Sequence, residues 1–225
     1  MRLKTALALL LLPAGWTLPA ALQAPGMTAE EAALRLEQRL RGLRSLQAEF
    51  EQTYRPASLA SPLVEKGRFF FRGPDRMRWE YIEPEVKVFL YREGLFEQYY
   101  PEDKQLIRTR ISPGDSGAEI LSLLTGAKNI GDDYALELTS GPETGNTATR
   151  LKLTPRREEE FRTIFLDVNR ATFLLDQAVF VDFAGNRTEF RFKKARTDAP
   201  LSPDVFTLKV PEGCEVIEDL APRRT

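Results

Sequence analysis

A chain of 225 residues, 42% of them hydrophobic, has material for one large β domain or two small ones and for a substantial core. Its 32 basic side chains nearly cancel 33 acidic ones, which removes the global field that nucleic acid or an anionic membrane surface would need. It has no histidine and one cysteine, Cys214, so Ser-His-Asp and Cys-His catalysis, His-ligated zinc and an intrachain disulfide are all excluded.

The N-terminus has the form of an export signal. Arg2 and Lys4 precede an unbroken Ala/Leu run over residues 6–12, and small residues gather from Ala20 to Ala24. The run is too short to span a bilayer. Residues 1–24 are therefore expected to be cleaved, leaving 25–225 as a single exported domain. No cysteine lies near the cleavage region, so no lipid anchor is expected there.

An amphipathic helix comes next. Thr28-Ala29-Glu30-Glu31 has capping-box form, and Ala29, Ala32, Ala33, Leu36, Leu40 and Leu43 share one side at helical spacing. Glu37, Gln38, Arg39 and Arg41 are expected to face water. Such a stripe either joins a core or covers a cavity.

From Leu46 the period changes to two. Leu46, Ala48 and Phe50 alternate with Gln47, Glu49 and Glu51. Strands are expected at 64–72, 76–82, 86–92, 95–100 and 105–110, each pairing with the next. Turn signals such as Gly73-Pro74-Asp75, Glu83-Pro84 and Glu93-Gly94 separate them. The segment from Gly67 to Tyr81 is the most informative. Alternation puts Phe69 and Phe71 on one face of its first strand, and Met77, Trp79 and Tyr81 on one face of its second. That is more apolar area than a two-strand ribbon can hide. The surface packs on a core or lines a cavity for a greasy ligand.

Ala118 to Thr125 breaks the strand pattern with a short helical cluster, Ile120, Leu121, Leu123 and Leu124, closed by Gly126. Strands are expected again at 134–139, 148–154, 161–168, 173–183 and 187–194, with turns including Gly141-Pro142 and Gly185-Asn186. A last one is expected at Val205 to Val210, and a loose tail from Pro222. About eleven strands with hairpin-length links exceed what a flat open sheet tolerates, so the sheet curls into a barrel or partial barrel. The two helices then fit on its concave side.

Little in the chain reads as chemistry. Glu80 with Glu83, or Asp132 with Asp133, are candidate carboxylate pairs for glycoside hydrolysis. Acidic residues are ordinary at strand ends and loops, and that reading is the stronger. No glycine-rich phosphate loop or calcium-loop spacing occurs, and no enzyme is expected. Arg68, Arg72, Arg76 and Arg78, and the run Phe190-Arg191-Phe192-Lys193-Lys194, interleave base and ring as a nucleic-acid site does. Strand alternation with one wet face explains them more cheaply. For the apolar faces taken alone, a single packed core is the better expectation.

A family resemblance shifts that balance. Leu46-Gln47-Ala48-Glu49-Phe50-Glu51-Gln52, then Gly67-Arg68-Phe69, then Pro74-Asp75-Arg76-Met77-Arg78-Trp79-Glu80-Tyr81 follow in order. With Asp132-Asp133-Tyr134 and the Val205 to Gly213 ending, they make the chain resemble the periplasmic outer-membrane lipoprotein carriers, the LolA family. The resemblance covers roughly Thr28 to Ile217. Met77 replaces the family's usual aromatic. Gly73 stands where the family often has a basic residue that latches the helical lid. Arg72, one place earlier, is the candidate latch, although a one-residue shift turns its side chain to the other face. The sister receptor class is anchored through an N-terminal cysteine that this chain lacks, which favours the soluble carrier.

The resemblance implies a mainly β fold: a curved, incomplete antiparallel barrel with helices over its concave face and an apolar cavity beneath them. It implies a carrier without a cofactor, which accepts acylated lipoproteins from an inner-membrane releasing complex and passes them to an outer-membrane receptor. Leu36, Leu40, Phe50, Phe69, Phe71, Met77, Trp79, Tyr81, Leu121 and Leu124 are the residues expected to contact lipid or the lid, in a roomy dry hollow. A monomer is expected, with no nucleic-acid partner. The alternative is an envelope module that senses lipid or misfolded protein through a similar half-barrel.

Overall fold

The computed structural model describes residues 27–58, 61–112, 117–140, 147–157 and 160–219. The expected signal at 1–24, the Gly141-Pro142 turn and the tail from Pro222 lie outside the described residues.

The strands are β1 (Ser45–Arg55), β2 (Leu63–Arg72), β3 (Arg76–Glu83), β4 (Lys87–Arg92), β5 (Leu95–Tyr100) and β6 (Gln105–Arg110). Next come β7 (Tyr134–Thr139), β8 (Ala148–Pro155), β9 (Phe161–Asn169), β10 (Leu175–Asp182), β11 (Arg187–Thr197) and β12 (Glu215–Asp219). The helices are α1 (Ala29–Arg41), α2 (Ala118–Thr125) and the four-residue α3 (Ile130–Asp133), which alternation did not announce.

All twelve strands form one sheet, ordered β12-β6-β5-β4-β3-β2-β1-β11-β10-β9-β8-β7. Two antiparallel meanders, β1 to β6 and β7 to β11, meet where β11 lies against β1, with Phe192 opposite Phe50 and Phe190 opposite Gln52. Between β6 and β7 the chain leaves the sheet to build α2 and α3. The sheet ends at β12 and β7 without joining them, so among the described residues it is an open, curved half-barrel.

Two expectations at the C-terminus are corrected. Residues 203–206 form a 3-10 turn instead of opening a strand at Val205. Ser202 caps it and Pro203 holds its first position, which sets the backbone against extension. Phe206 then packs outside the main core with Phe70 and Leu90. The last strand comes later, as β12, and runs parallel to β6. All five of its residues are exposed, so it has no apolar face; it exists by pairing with the edge of β6.

Helix α1 starts as expected, with the Thr28 hydroxyl accepting from the Glu31 amide at 3.1 Å. It packs on β7, β8 and α3. Its stripe is buried, with Ala32 and Leu36 wholly so. Glu37 departs from the expected wet face: it is buried, and its Oε1 accepts from the Ile130 amide at 2.6 Å. That bond satisfies an open N–H at the start of α3, and Arg41 at 3.2 Å balances the charge.

Candidate functional site

The concave face is built by inward positions of alternate residues. Phe69 stands opposite Trp79 and Phe71 opposite Met77, so the faces read from β2 and β3 coincide. The ring of Phe50 lies over Gly67, where a Cβ would come within 2.7 Å of it and 2.0 Å of the Glu80 carbonyl oxygen. Glycine there is what lets Phe50 reach Trp79 and Tyr81, with ring centroids 5.0 Å away in both cases and near-perpendicular planes. The Tyr81 hydroxyl donates to Gln52 Oε1 at 2.6 Å. Burial, with the Glu65 and Tyr100 charges behind it, pushes the Tyr81 hydroxyl far above its usual pKa, so it stays a donor.

All ten expected contact residues belong to one apolar cluster, nine buried and Leu121 half-buried. They do not share one hollow. Trp79, Tyr81 and Leu121 line a cavity of about 230 Å³ between the sheet and α2. Leu40, Phe69 and Leu124 line a crevice of about 20 Å³ beneath α1. Leu36, Phe50, Phe71 and Met77 line neither.

The larger cavity also takes Phe89, Phe96, Ile111, Ile120 and Phe190 as walls, with Gln52 and Thr188 as polar lining. None of these is among the expected contact residues, although Ile120 belongs to the short helical cluster and Phe190 to the basic and aromatic run read from the sequence. Phe89 and Phe96 sat at alternating positions of expected strands and were within reach of the same argument. Phe190 was not, because its role depends on β11 lying beside β1. The expected roomy hollow is thus corrected to a smaller one. At about 230 Å³ it falls below the roughly 300–1,000 Å³ of most small-molecule pockets. A second hollow of about 310 Å³ lies along α2 by Pro74, Tyr91 and Thr125; Leu121 and Ile111 border both.

Arg72 is not on the concave face. Its guanidinium donates to the Leu201 carbonyl and stacks 5.2 Å from the Phe206 ring centroid. It shares the outer side with Phe70, as the period of two requires once Phe69 and Phe71 point in. The contacts that hold α2 come from elsewhere. Arg41 Nε donates to the Gly126 carbonyl at 2.8 Å, just past the end of α2. Gly126 has φ +72° and lies against the Leu40 side chain, and both features call for glycine. At the other end Glu160 accepts from the Gly117 amide at 2.7 Å, and Glu119 of α2 accepts from the buried Tyr134 hydroxyl. The helix is pinned at its ends and packed through Leu123 and Leu124, while Ile120 and Leu121 border open volume.

Among the described residues no helix is long and apolar enough to cross a membrane.

Residues 41–209 match the family model described as outer membrane lipoprotein carrier protein LolA. The chain is 30% identical over 226 residues to an outer-membrane lipoprotein carrier protein of Alkalilimnicola ehrlichii, covering 97% of each. It is 28% identical over 186 residues to that of Methylococcus capsulatus, covering 82% of this chain and 86% of the other. Among solved structures it resembles an uncharacterized conserved protein of Thermus thermophilus, with TM-score 0.55, 16% identity and coverage of 84% of this chain and 98% of that one. It also resembles the MucA/MucB complex of Pseudomonas aeruginosa, with TM-score 0.52, 18% identity and coverage of 80% and 61%. At these identities the structural likeness is one of fold.

Proposed function

Because the chain belongs to the LolA family of outer-membrane lipoprotein carriers, a non-enzymatic family, we propose that it moves lipoproteins through the periplasm with their acyl chains held beneath α2. It would take them from an inner-membrane releasing complex and yield them to an outer-membrane receptor. In this reading residues 1–24 are the cleaved export signal and 25–225 the single carrier domain.

The observation that carries the reading is the cavity of Trp79, Tyr81, Phe89, Phe96, Ile120, Leu121 and Phe190 under a short helix that is hydrogen-bonded at its ends and seated on the core through Leu123 and Leu124. Each buried methylene is worth about 0.8 kcal/mol against water, so an anchor of several chains does not cross an aqueous space without cover. Yet the cover must release. Aromatic walls give large contact area without tight shape demands. Swinging α2 away from the sheet removes the Leu121 border between the two flanking hollows and makes one larger groove. The packed members Phe50, Phe71 and Met77 then form its floor and Leu40 and Phe69 its side toward α1, while Leu124 moves with α2 and Leu36 stays in the packing of α1.

Photocrosslinking tests this. A photoreactive residue at Trp79, Leu121 or Phe190 is expected to form adducts with a lipoprotein whose acyl chains carry a label. One at Phe206, outside the main core, is expected to form none. Adducts absent at the first three positions would overturn the reading.

A further inference from the structure

Near the aromatic cavity the concave face changes character in a single step of the strand repeat. Moving toward the same end of the sheet, the inward positions pass from Phe50 to Gln52 on β1 and from Gly67 to Glu65 on β2. They pass from Phe89 to Lys87 on β4 and from Phe190 to Thr188 on β11. Four separate strands make the same change, and because Lys87 stands opposite Tyr81, Glu65 opposite Gln52 and Thr188 opposite Tyr54, the polar positions form a slanted level of the half-barrel.

At this level Lys87 reaches across β3 to Glu65 in a salt bridge, with the two side chains only 14% and 19% exposed. On the way its Nζ lies 4.6 Å from the Tyr81 ring centroid and 5.7 Å from that of Phe89, two walls of the cavity. An ion pair so far desolvated contributes little to stability, since lost hydration offsets the attraction. Its placement is better explained by what it offers a ligand. An ammonium has three N–H groups, and Glu65 takes one. Gln52 lines the cavity with its oxygen already engaged by Tyr81, which leaves the amide N–H₂ as its free function. Donors therefore dominate the level, while Glu65 cancels the charge of Lys87.

We infer that this polar level binds the carbonyl groups at which the acyl chains of the cargo converge, with Lys87 and Gln52 donating to ester or amide oxygens while the hydrocarbon lies against the aromatic rings. A net-neutral cluster of donors matches neutral carbonyls better than a free fatty-acid carboxylate, which would meet Glu65. The inference rests on the carrier reading and adds which part of the cargo is recognised and where.

The test uses the full mature chain and two probes: a diacylglyceryl-cysteinyl peptide and a pyrene-labelled alkane without carbonyls. E65M/K87M removes both charges while keeping side-chain bulk. It is expected to weaken the lipopeptide about tenfold, the scale of one lost hydrogen bond to a charged donor, and to leave the alkane unchanged. Q52L, which leaves the ion pair intact, is expected to weaken the lipopeptide in the same selective way by a smaller factor. It also serves if the double variant does not fold. Unchanged lipopeptide binding, or equal loss of both probes, overturns the inference while the carrier reading stands. Wild-type protein that takes up neither probe overturns both. A diacyl phospholipid run alongside separates glycerol-ester carbonyls, which it shares with the lipopeptide, from peptide amides, which it lacks.

Discussion

The half of the sheet under α1 and the half under α2 use the same architecture with different side chains. Where α1 covers the sheet, its own Leu36 and the strand residues Leu151, Leu153, Ile164 and Leu166 are each at most 1% exposed. Branched aliphatic chains of similar size interdigitate there and leave almost no void. Beneath α2 the lining is aromatic: Tyr81 to Phe89 at 5.1 Å, Trp79 to Phe190 at 5.3 Å, Phe89 to Phe96 at 5.8 Å. Flat rings at tilted angles pave a curved surface well, but the eight-residue α2 has too few side chains to fill the space above them. The result is a closed scaffold joined to a half with volume to spare. Stability and capacity are thereby separated within one core.

That contrast is open to attack at several points. The largest effect is expected in the closed half: Leu153→Ala should cost about 2–5 kcal/mol in urea unfolding, because the site cannot collapse around the lost atoms. Leu121→Ala, at a half-buried position bordering open volume, should cost about 1 kcal/mol yet weaken uptake of an apolar probe. Equal losses at the two positions would erase the distinction between the halves.

Gly67→Ala comes next, at about 1–3 kcal/mol, since its methyl meets both the Glu80 carbonyl and the Phe50 ring. Near-UV circular dichroism should report the disturbed Trp79 environment. Arg41→Ala removes both the Gly126 bond and the charge that balances buried Glu37, so it should cost about 1.5–3 kcal/mol and speed amide hydrogen exchange in α2 and α3, leaving β9 unchanged. Exchange that rises throughout would mean that α2 does not open on its own.

The smallest effect is at the seam. Burial of Glu189 on β11 pushes its pKa up, but Arg191 at 2.7 Å and Arg187 at 3.2 Å more than offset this, and the net shift is below its ordinary 4.5. Its contribution is therefore present above the ordinary carboxylate range and lost as pH falls through the lower folded value. The urea midpoint should drop between about pH 5 and about pH 3, and Glu189→Gln should flatten that slope.

Much of this was legible along the chain. Residues 95–100, 105–110 and 134–139 form strands with the expected bounds, and the Phe69/Phe71 and Met77/Trp79/Tyr81 faces point as alternation requires. The capping residue of α1 was plain in Thr28. Glu37 was not, since nothing in a helical wheel says that an unmet amide at Ile130 will lie beside its polar flank. Arg72 shows the rule of two working against a family analogy: the same alternation that turned Phe71 inward turned Arg72 outward.

The amino-acid order by itself determined most of the elements, though not α3 or β12, together with their apolar faces and the family, because these follow from spacing within a few residues or from motifs in succession. Which faces meet was decided only in three dimensions. The pairing of β1 with β11 brings together residues far apart in the chain, such as Gln52 and Phe190, and puts the latter in the cavity wall. Such contacts leave no local trace, because an apolar stripe states that it must be covered and not by what. How much room remains beneath a cover depends on the length of the helix above and the shape of the rings below, which only the assembled fold brings to one place.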